Sequence, residues 1–178
     1  FHAVVIGAGP AGTGPLVCAH QRGDLARLLD TGVLFVDRGA SMGHGTIGQY
    51  GINSDTYADT LLECIERGDP RVLDQMRAAP ITAEIALFKG GAVPLPRAAV
   101  FLTELGAALQ RILDDHPRSG FSPRTEVTAL HQQADGTFRV ELQHGGGRSA
   151  VTATHVVSAM GARQHRDRTL TSPIVPGV

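Results

Sequence analysis

Two short apolar runs near the start of the chain are the first regular pattern in the sequence. Residues 3–6 (Ala-Val-Val-Ile) and 33–36 (Val-Leu-Phe-Val) contain no polar position, which is typical of strands that are buried on both faces of a parallel sheet. A third, largely apolar run at 155–162 breaks at the small residues around Ala159-Met160-Gly161. Between the first two runs we expect a crossover helix that ends near Gln21 and a short extra turn at 25–29. This alternation predicts an α/β fold built on a parallel sheet.

The middle of the chain has helical periodicity. Apolar residues recur three or four positions apart in residues 57–66 and 70–79, whereas residues 81–88 fit either a helix or a strand. We group residues 55–96 as a helical insertion. Residues 97–115 give the clearest helix, because one broad face is apolar. That face consists of Val100, Phe101, Leu102, Leu105, Leu109, Ile112 and Leu113.

Two further segments complete the pattern. Residues 40–56 are rich in glycine and have no sustained period, so we expect an ordered loop that lies close to a flat ligand. Residues 121–154 alternate apolar and polar positions around an Asp-Gly turn and a Gly-Gly turn, which predicts a three-stranded antiparallel meander. Together these elements predict one Rossmann-like domain over residues 1–178. Because the chain starts directly on a strand and stops at residues 173–178, soon after a motif that normally lies mid-protein, we expect it to be part of a larger enzyme.

Composition and charge narrow the class of function. Hydrophobic residues make up 42% of the chain and its net charge is −1, so we expect a globular domain without the basic stripe that nucleic acid requires. No apolar run approaches the ~20 residues of a membrane span. Cys18 and Cys64 lie far apart, and we interpret them as reduced, buried thiols of a cytoplasmic protein. The eight histidines form no pair at metal-ligand spacing, and we expect no metal site.

The first apolar run is followed by a G-x-G-x-x-G motif at Gly7, Gly9 and Gly12. In such a motif the first glycine permits a tight turn, the second lets the backbone approach a pyrophosphate, and the third lets the helix pack closely on the sheet. The free N–H groups of the helix then face the phosphates. Pro10 fits the first turn of that helix, where its missing N–H has no intrahelical partner. The motif predicts a dinucleotide site.

Asp37 directly follows the second apolar run. A carboxylate at the end of the second strand can accept both hydroxyls of an adenosine ribose, and it usually falls ~20 residues after the motif. Here it falls somewhat later, which the expected extra turn at 25–29 explains. These residues favour a dinucleotide but do not distinguish FAD from NAD.

The order of four motifs resembles the FAD-binding domain of flavoprotein oxidoreductases, closest to the glutathione-reductase-like group with its monooxygenase branches. The matching runs are Val-Val-Ile-Gly-Ala-Gly-Pro-Ala-Gly at 4–12, Leu-Phe-Val-Asp-Arg-Gly at 34–39, Thr-Glu-Val at 125–127 and Thr-His-Val-Val-Ser-Ala-Met-Gly at 154–161. In the last run Met160 replaces the threonine of the group's Ala-Thr-Gly. The resemblance implies FAD as the cofactor, with NAD(P)H as a candidate electron donor.

The resemblance also implies site residues. Asp37 would hold the ribose, Arg38 would lie beside the adenine, and the backbone of Val127 would meet the adenine edge. The loop at 43–54 would line the isoalloxazine, with His44, Gln49 and Asn53 as candidates for hydrogen bonds to the ring or substrate. The implied cofactor-binding residues are Gly7, Gly9, Pro10, Ala11, Gly12, Asp37, Arg38, Gly45, Thr46, Gln49, Asn53, Val127, Ala159 and Gly161.

One departure from the group bears on the reaction. Dithiol reductases of the group carry two cysteines in this loop, and Ile47 and Ile52 stand at those places here. Without a thiolate pair there is no disulfide relay through the flavin. We therefore expect an FAD-dependent oxidoreductase of monooxygenase or dehydrogenase type that acts on a small molecule, and no general acid or base can be named. The alternatives are a flavin-binding subunit without turnover, which a partner chain or a C-terminal half would complement, and an NAD-binding domain.

Overall fold

A four-stranded parallel sheet lies at the centre of the computed structural model, which describes residues 1–161. Its order is β5-β2-β1-β9, from Gly120–Ser122 (β5), Val33–Val36 (β2), Ala3–Ile6 (β1) and His155–Ser158 (β9). All three pairings are parallel, and they bring Val36 and Ser158 level with Ile6. The ends of β1, β2 and β9 therefore meet at one edge of the sheet.

Two helices connect β1 to β2. They are α1, Pro10–Arg22, and α2, Leu25–Asp30, which confirms both the crossover helix and the short extra turn. Gly23 is the C-cap that follows the first helix, and its N–H bonds back to the carbonyl of His20. Residues on the buried side of α1, such as Leu16, are fully enclosed against the sheet.

The helical insertion begins and ends in strands that the sequence pattern does not reveal. Its elements are β3, Asn53–Tyr57, then α3, Ala58–Glu63, α4, Pro70–Ala78, α5, Pro80–Ala86, and β4, Ala92–Pro94. Strands β3 and β4 pair antiparallel. The expectation of a loop throughout 40–56 is therefore wrong at its end, because backbone pairing across the insertion stabilises a polar strand. The ambiguous segment at 81–88 is mostly helix.

The long helix α6, Leu95–Asp114, packs its apolar face beneath the sheet. Its Phe101 is fully buried in the same core as Phe35 of β2, and burying a side chain of that size contributes about 2–3 kcal/mol. The expected face was too broad, since Val100 is 48% exposed. Val100 precedes Phe101 by one position and therefore points about 100° away from it.

The other face of the sheet is covered by an antiparallel meander. It consists of β6, Thr125–Gln132, β7, Phe138–His144, and β8, Gly147–Ala153. Val140 and Leu142 of β7 pack on Val4 of β1 and Val36 of β2 in a second core. The range 121–154 expected for the meander also includes part of β5, which belongs to the parallel sheet.

Candidate functional site: the glycine turn at the sheet edge

The turn between β1 and α1 is so tight that two of its positions accept only glycine. Gly7 has a φ of +97°, and a Cβ there would overlap the carbonyl oxygen of Ala159. A Cβ on Gly12 would overlap the carbonyl oxygen of Gly7. The two glycines thus let α1 and β9 pack closely against the end of β1. These are the roles expected for them, a tight turn at Gly7 and close helix packing at Gly12.

Among residues 1–161, the backbone N–H groups at the N-terminus of α1 have no side-chain cap. Pro10 occupies the first turn. The N–H groups of Ala11 and Gly12 have no partner within the helix, and they lie at the positive end of the helix dipole. Gly9 stands before them without a side chain. A concave backbone of this kind binds anions such as a pyrophosphate.

Asp37 lies at the glycine turn rather than in solvent. One carboxylate oxygen accepts the Ala8 N–H at 2.6 Å, and the other accepts the Gly39 N–H at 2.6 Å. The backbone of Asp37 is paired with Ser122 and Thr125 of the neighbouring β5–β6 segment. Each carboxylate oxygen keeps a further lone pair, so the group can still accept a hydroxyl of a ribose.

Arg38 and Val127 lie beside Asp37 on the side facing the meander. The Arg38 guanidinium is 3.8 Å from the Glu126 carboxylate, and both side chains are half-exposed. An exposed pair at this distance contributes less than about 1 kcal/mol. The Val127 side chain packs against the second core, next to a bulge in β6. Contact of Arg38 or Val127 with an adenine stays a prediction.

The segment after β2 is clamped between the glycine turn and α6. The Gly43 N–H donates to the Ala8 carbonyl at 2.8 Å. Gly43 has a φ of +107°, and a Cβ there would overlap the carbonyl oxygen of Leu102 on α6. A Cβ on Gly106 would likewise overlap the carbonyl of the buried Met42. Sequence reasoning missed this contact, although an isolated glycine in an apolar helix such as Gly106 was a signal for it.

The loop residues expected at the flavin separate into two groups. The Cα of Gly45 lies 3.4 Å from where a Gly9 Cβ would be, so the structure brings Gly45 to the turn with Thr46 beside it. Gln49 ends a one-turn 3-10 helix against α6, and Asn53 starts β3 opposite Pro94. Within residues 1–161, neither the Gln49 nor the Asn53 side chain makes a hydrogen bond to the turn.

Ala159 and Gly161 follow β9 at the same edge. The Ala159 N–H donates to the Ile6 carbonyl at 2.7 Å, and its side chain lies 3.5 Å from where a Gly12 Cβ would be. A larger side chain at 159 would therefore press on α1. Gly161 has a φ of +69° and is the last residue described. The segment at 173–178, part of the expectation of a longer protein, lies outside the described residues.

A buried histidine joins α1 to the helical insertion. His20 is fully buried, and its Nδ1 accepts the Asp69 N–H at 3.0 Å. Burial lowers the pKa of His20, while the Asp69 carboxylate and the Cys64 carbonyl act in the opposite direction. Among residues 1–161, the Nε2 atom of His20 has no hydrogen-bond partner within normal distance. A Cβ on Gly68 would meet the imidazole ring, so this glycine makes room for His20.

Both cysteines of the chain lie among the described residues. Cys18 and Cys64 are both free. Cys18 is exposed, so the expectation that it is buried is wrong. Residues 1–161 contain no cluster of three or more His, Cys, Asp or Glu side chains able to hold a metal ion. None of their helices combines the length and apolarity needed to cross a membrane.

Known proteins resemble this chain in sequence and in fold. No family model matches it. The CMP-5'-(3-aminopropyl)phosphonate hydroxylase of Streptomyces rubellomurinus is 31% identical over 180 residues, which cover 94% of this chain and 38% of the hydroxylase. The bacillithiol disulfide reductase of Staphylococcus aureus superposes with a TM-score of 0.54 at 16% identity, over 90% of this chain and 38% of the reductase.

A second bacillithiol disulfide reductase, from Bacillus cereus, superposes with a TM-score of 0.50 at 18% identity, over 88% of this chain and 38% of its own. The chain thus spans 38% of the length of each of these three proteins. At such identities the structural likeness concerns the fold. It confirms the predicted fold class, a Rossmann-like α/β fold with a parallel sheet and an inserted three-stranded antiparallel meander.

Proposed function

We propose that this chain is the FAD-binding part of a flavin-dependent oxidoreductase of monooxygenase or dehydrogenase type. The observation that carries the proposal is the uncapped N-terminus of α1 beside the Asp37 carboxylate, which is fixed to the same turn through the Ala8 N–H. This places anion donors and a hydroxyl acceptor next to each other, as a dinucleotide requires. When bound, the flavin would supply the hydride and oxygen chemistry.

The residues at the turn would each bind a different part of the dinucleotide. The amides of Ala11 and Gly12 would bind the pyrophosphate, and the space in front of Gly9 would admit it. Asp37 would accept the ribose hydroxyls. Gly45 and Thr46 would lie on the flavin side of the phosphates, because Gly45 already contacts the turn. Ala159 and Gly161 would border the same crevice from β9.

Disulfide reduction through a thiol pair is disfavoured. The positions of the loop at which dithiol reductases carry cysteines hold Ile47 and Ile52, and Ile52 is 64% exposed. Thiol–disulfide exchange needs an attacking thiolate, and Cys18 and Cys64 lie on α1 and after α3 instead. The bacillithiol disulfide reductases resemble this chain in fold, which does not transfer their reaction. Membership of the glutathione-reductase-like group remains part of the proposal.

The 31% sequence identity to a hydroxylase favours hydroxylation as the reaction. The name of that relative states that it hydroxylates CMP-5'-(3-aminopropyl)phosphonate. We extend to this protein the reaction class, a flavin-dependent hydroxylation of a small molecule with NAD(P)H as electron donor. Two free cysteines agree with the proposed location in the cytoplasm.

The test is a set of measurements on the purified full-length protein. We expect the visible absorbance of bound FAD, bleaching of that absorbance by NADH or NADPH without oxygen, and its return when oxygen is admitted. Asp37→Ala should lower the FAD content, and Asp55→Ala, which alters an exposed carboxylate on β3, should not. Bound FAD that neither nucleotide reduces would favour a subunit without turnover. A colourless protein that binds NAD tightly in calorimetry would show an NAD-binding domain instead.

A further inference from the structure

The Thr103 hydroxyl, on α6, bridges that helix to the loop beside the glycine turn. It lies 2.8 Å from the Ala99 carbonyl oxygen and 3.0 Å from Nδ1 of His44. We infer that Thr103 is a positioning residue for the cofactor: it holds His44 as the Nδ1–H tautomer and so fixes residues 43–46 against the turn. The effect on the cofactor rests on the proposed function, whereas the tautomer does not.

The tautomer follows from a count of hydrogens. A hydroxyl has one hydrogen to donate, and a carbonyl oxygen can only accept. The 2.8 Å contact assigns the hydrogen of Thr103 to the Ala99 carbonyl, and the Thr103 oxygen then accepts from His44. A neutral imidazole has a single N–H, which must then be on Nδ1. Nε2 of His44 then carries a lone pair and no hydrogen. This tautomer is assigned from the hydrogen-bond network.

His44 occupies the centre of the clamped segment. On one side of it, Gly43 donates to the Ala8 carbonyl at 2.8 Å. On the other side, Gly45 has its Cα next to Gly9. The bond to Thr103 thus joins α6 to the backbone that touches the glycine turn from both sides. His44 therefore lies between two residues, Gly43 and Gly45, that both contact the glycine turn.

The tether matters because the segment is rich in glycine. Glycine loses more backbone entropy on ordering than other residues, and ordering a loop at the moment of binding costs affinity. A segment already fixed to α6 avoids that cost. Thr103 therefore affects how long the cofactor stays bound without touching it.

The first measurement reads the tautomer directly. Nitrogen-15 NMR of the full-length, histidine-labelled protein at pH 8 distinguishes Nδ1–H from Nε2–H, and His44→Gln identifies the resonance by its loss. We expect Nδ1–H in the wild type. In Thr103→Val, which cannot accept a hydrogen bond, we expect His44 to lose the Nδ1–H preference. Thr103→Ser keeps the hydroxyl and should keep the tautomer.

The second measurement is the dissociation rate of FAD. Thr103→Val should release FAD about 3- to 10-fold faster, the equivalent of one neutral hydrogen bond, while Thr103→Ser should stay near the wild-type rate. Thr152→Val, an exposed threonine on β8, is the matched control and should change nothing. An Nε2–H tautomer in the wild type, or an unchanged FAD rate in Thr103→Val, overturns the inference. With FAD bound to the wild type, either failure concerns Thr103 and leaves the proposed function standing.

Discussion

The Asp37 carboxylate accepts a hydrogen bond of 2.6 Å from the backbone N–H of Ala8, a residue 29 positions earlier in the chain. This bond ties the end of β2 to the middle of the glycine motif. The acid therefore has a structural role in the turn in addition to the ribose contact that its position predicts. A substitution at Asp37 should accordingly affect both the unliganded protein and the adenosine half of the cofactor.

For Asp37→Ala we predict an FAD affinity lower by about 1–3 kcal/mol, the scale of a hydrogen bond to a charged group. Titration of the apoprotein with FAD measures this change. FMN lacks the adenosine part, so its affinity should fall much less in the same variant. Equal losses for FAD and FMN would mean that Asp37 acts only on the turn, and the ribose assignment would then be wrong.

Gly9 gives a sharper test of the pyrophosphate position. Its φ of −72° is open to any residue, and a Cβ there would lie 3.4 Å from the nearest atom, the Cα of Gly45. Gly9→Ala should therefore change the unfolding free energy of the apoprotein by less than about 1 kcal/mol. It should nevertheless reduce FAD binding strongly, because the methyl group enters the space reserved for the phosphates. Normal FAD binding by a stable Gly9→Ala protein would contradict the proposed site.

Gly12 should behave in the opposite way. A Cβ on Gly12 would overlap the Gly7 carbonyl oxygen, so α1 must move away from the sheet and we predict a loss of about 2–4 kcal/mol in unfolding free energy. Gly14 on the same helix is the control, since no atom of residues 1–161 lies within 4 Å of its added Cβ. Gly14→Ala should stay within about 1 kcal/mol of the wild type. Urea unfolding followed by circular dichroism compares the two variants.

The parallel sheet and its glycine turn could be predicted from the sequence because their signals are local. An apolar run such as 33–36, followed directly by Asp37, identifies a buried strand and the residue at its end. The glycines of the motif then locate the turn. These features depend on neighbours in the chain, and the structure has them where they were expected.

The clamp between the loop and α6 could not be predicted, because it joins residues that are far apart in sequence. Periodicity indicates the apolar face of α6, but it does not indicate that Gly106 faces the backbone of Met42 or that Thr103 reaches His44. Strand β3 escaped prediction for a related reason. Its sequence, Asn-Ser-Asp-Thr-Tyr, has no apolar alternation, and its pairing with β4 across the insertion supplies the stability.

His20 predicts how the stability of the domain depends on pH. Burial lowers the pKa of His20 in the folded protein, despite the opposing effects of the Asp69 carboxylate and the Cys64 carbonyl, whereas the unfolded chain has a value near ~6.5. Below about pH 6.5 the unfolded state therefore binds more protons than the folded state, and stability falls as pH falls. A protonated Nδ1 would also face the Asp69 N–H that it now accepts.

We therefore predict that the unfolding free energy decreases from pH 7 to pH 5 with a slope of up to about 1.4 kcal/mol per pH unit from this group. His20→Gln, which keeps an acceptor for the Asp69 N–H but does not titrate, should lose that part of the slope. His131→Gln removes an exposed histidine on β6 and serves as control. The Asp69 carboxyl does not interfere, because its hydrogen bond from Arg71 lowers its pKa below the usual ~3.8 and out of this window. Urea unfolding gives the unfolding free energy of both proteins between pH 7 and pH 5. If it falls equally in wild type and His20→Gln, protonation of His20 does not destabilise the fold, and its burial does not control the acid stability of the domain.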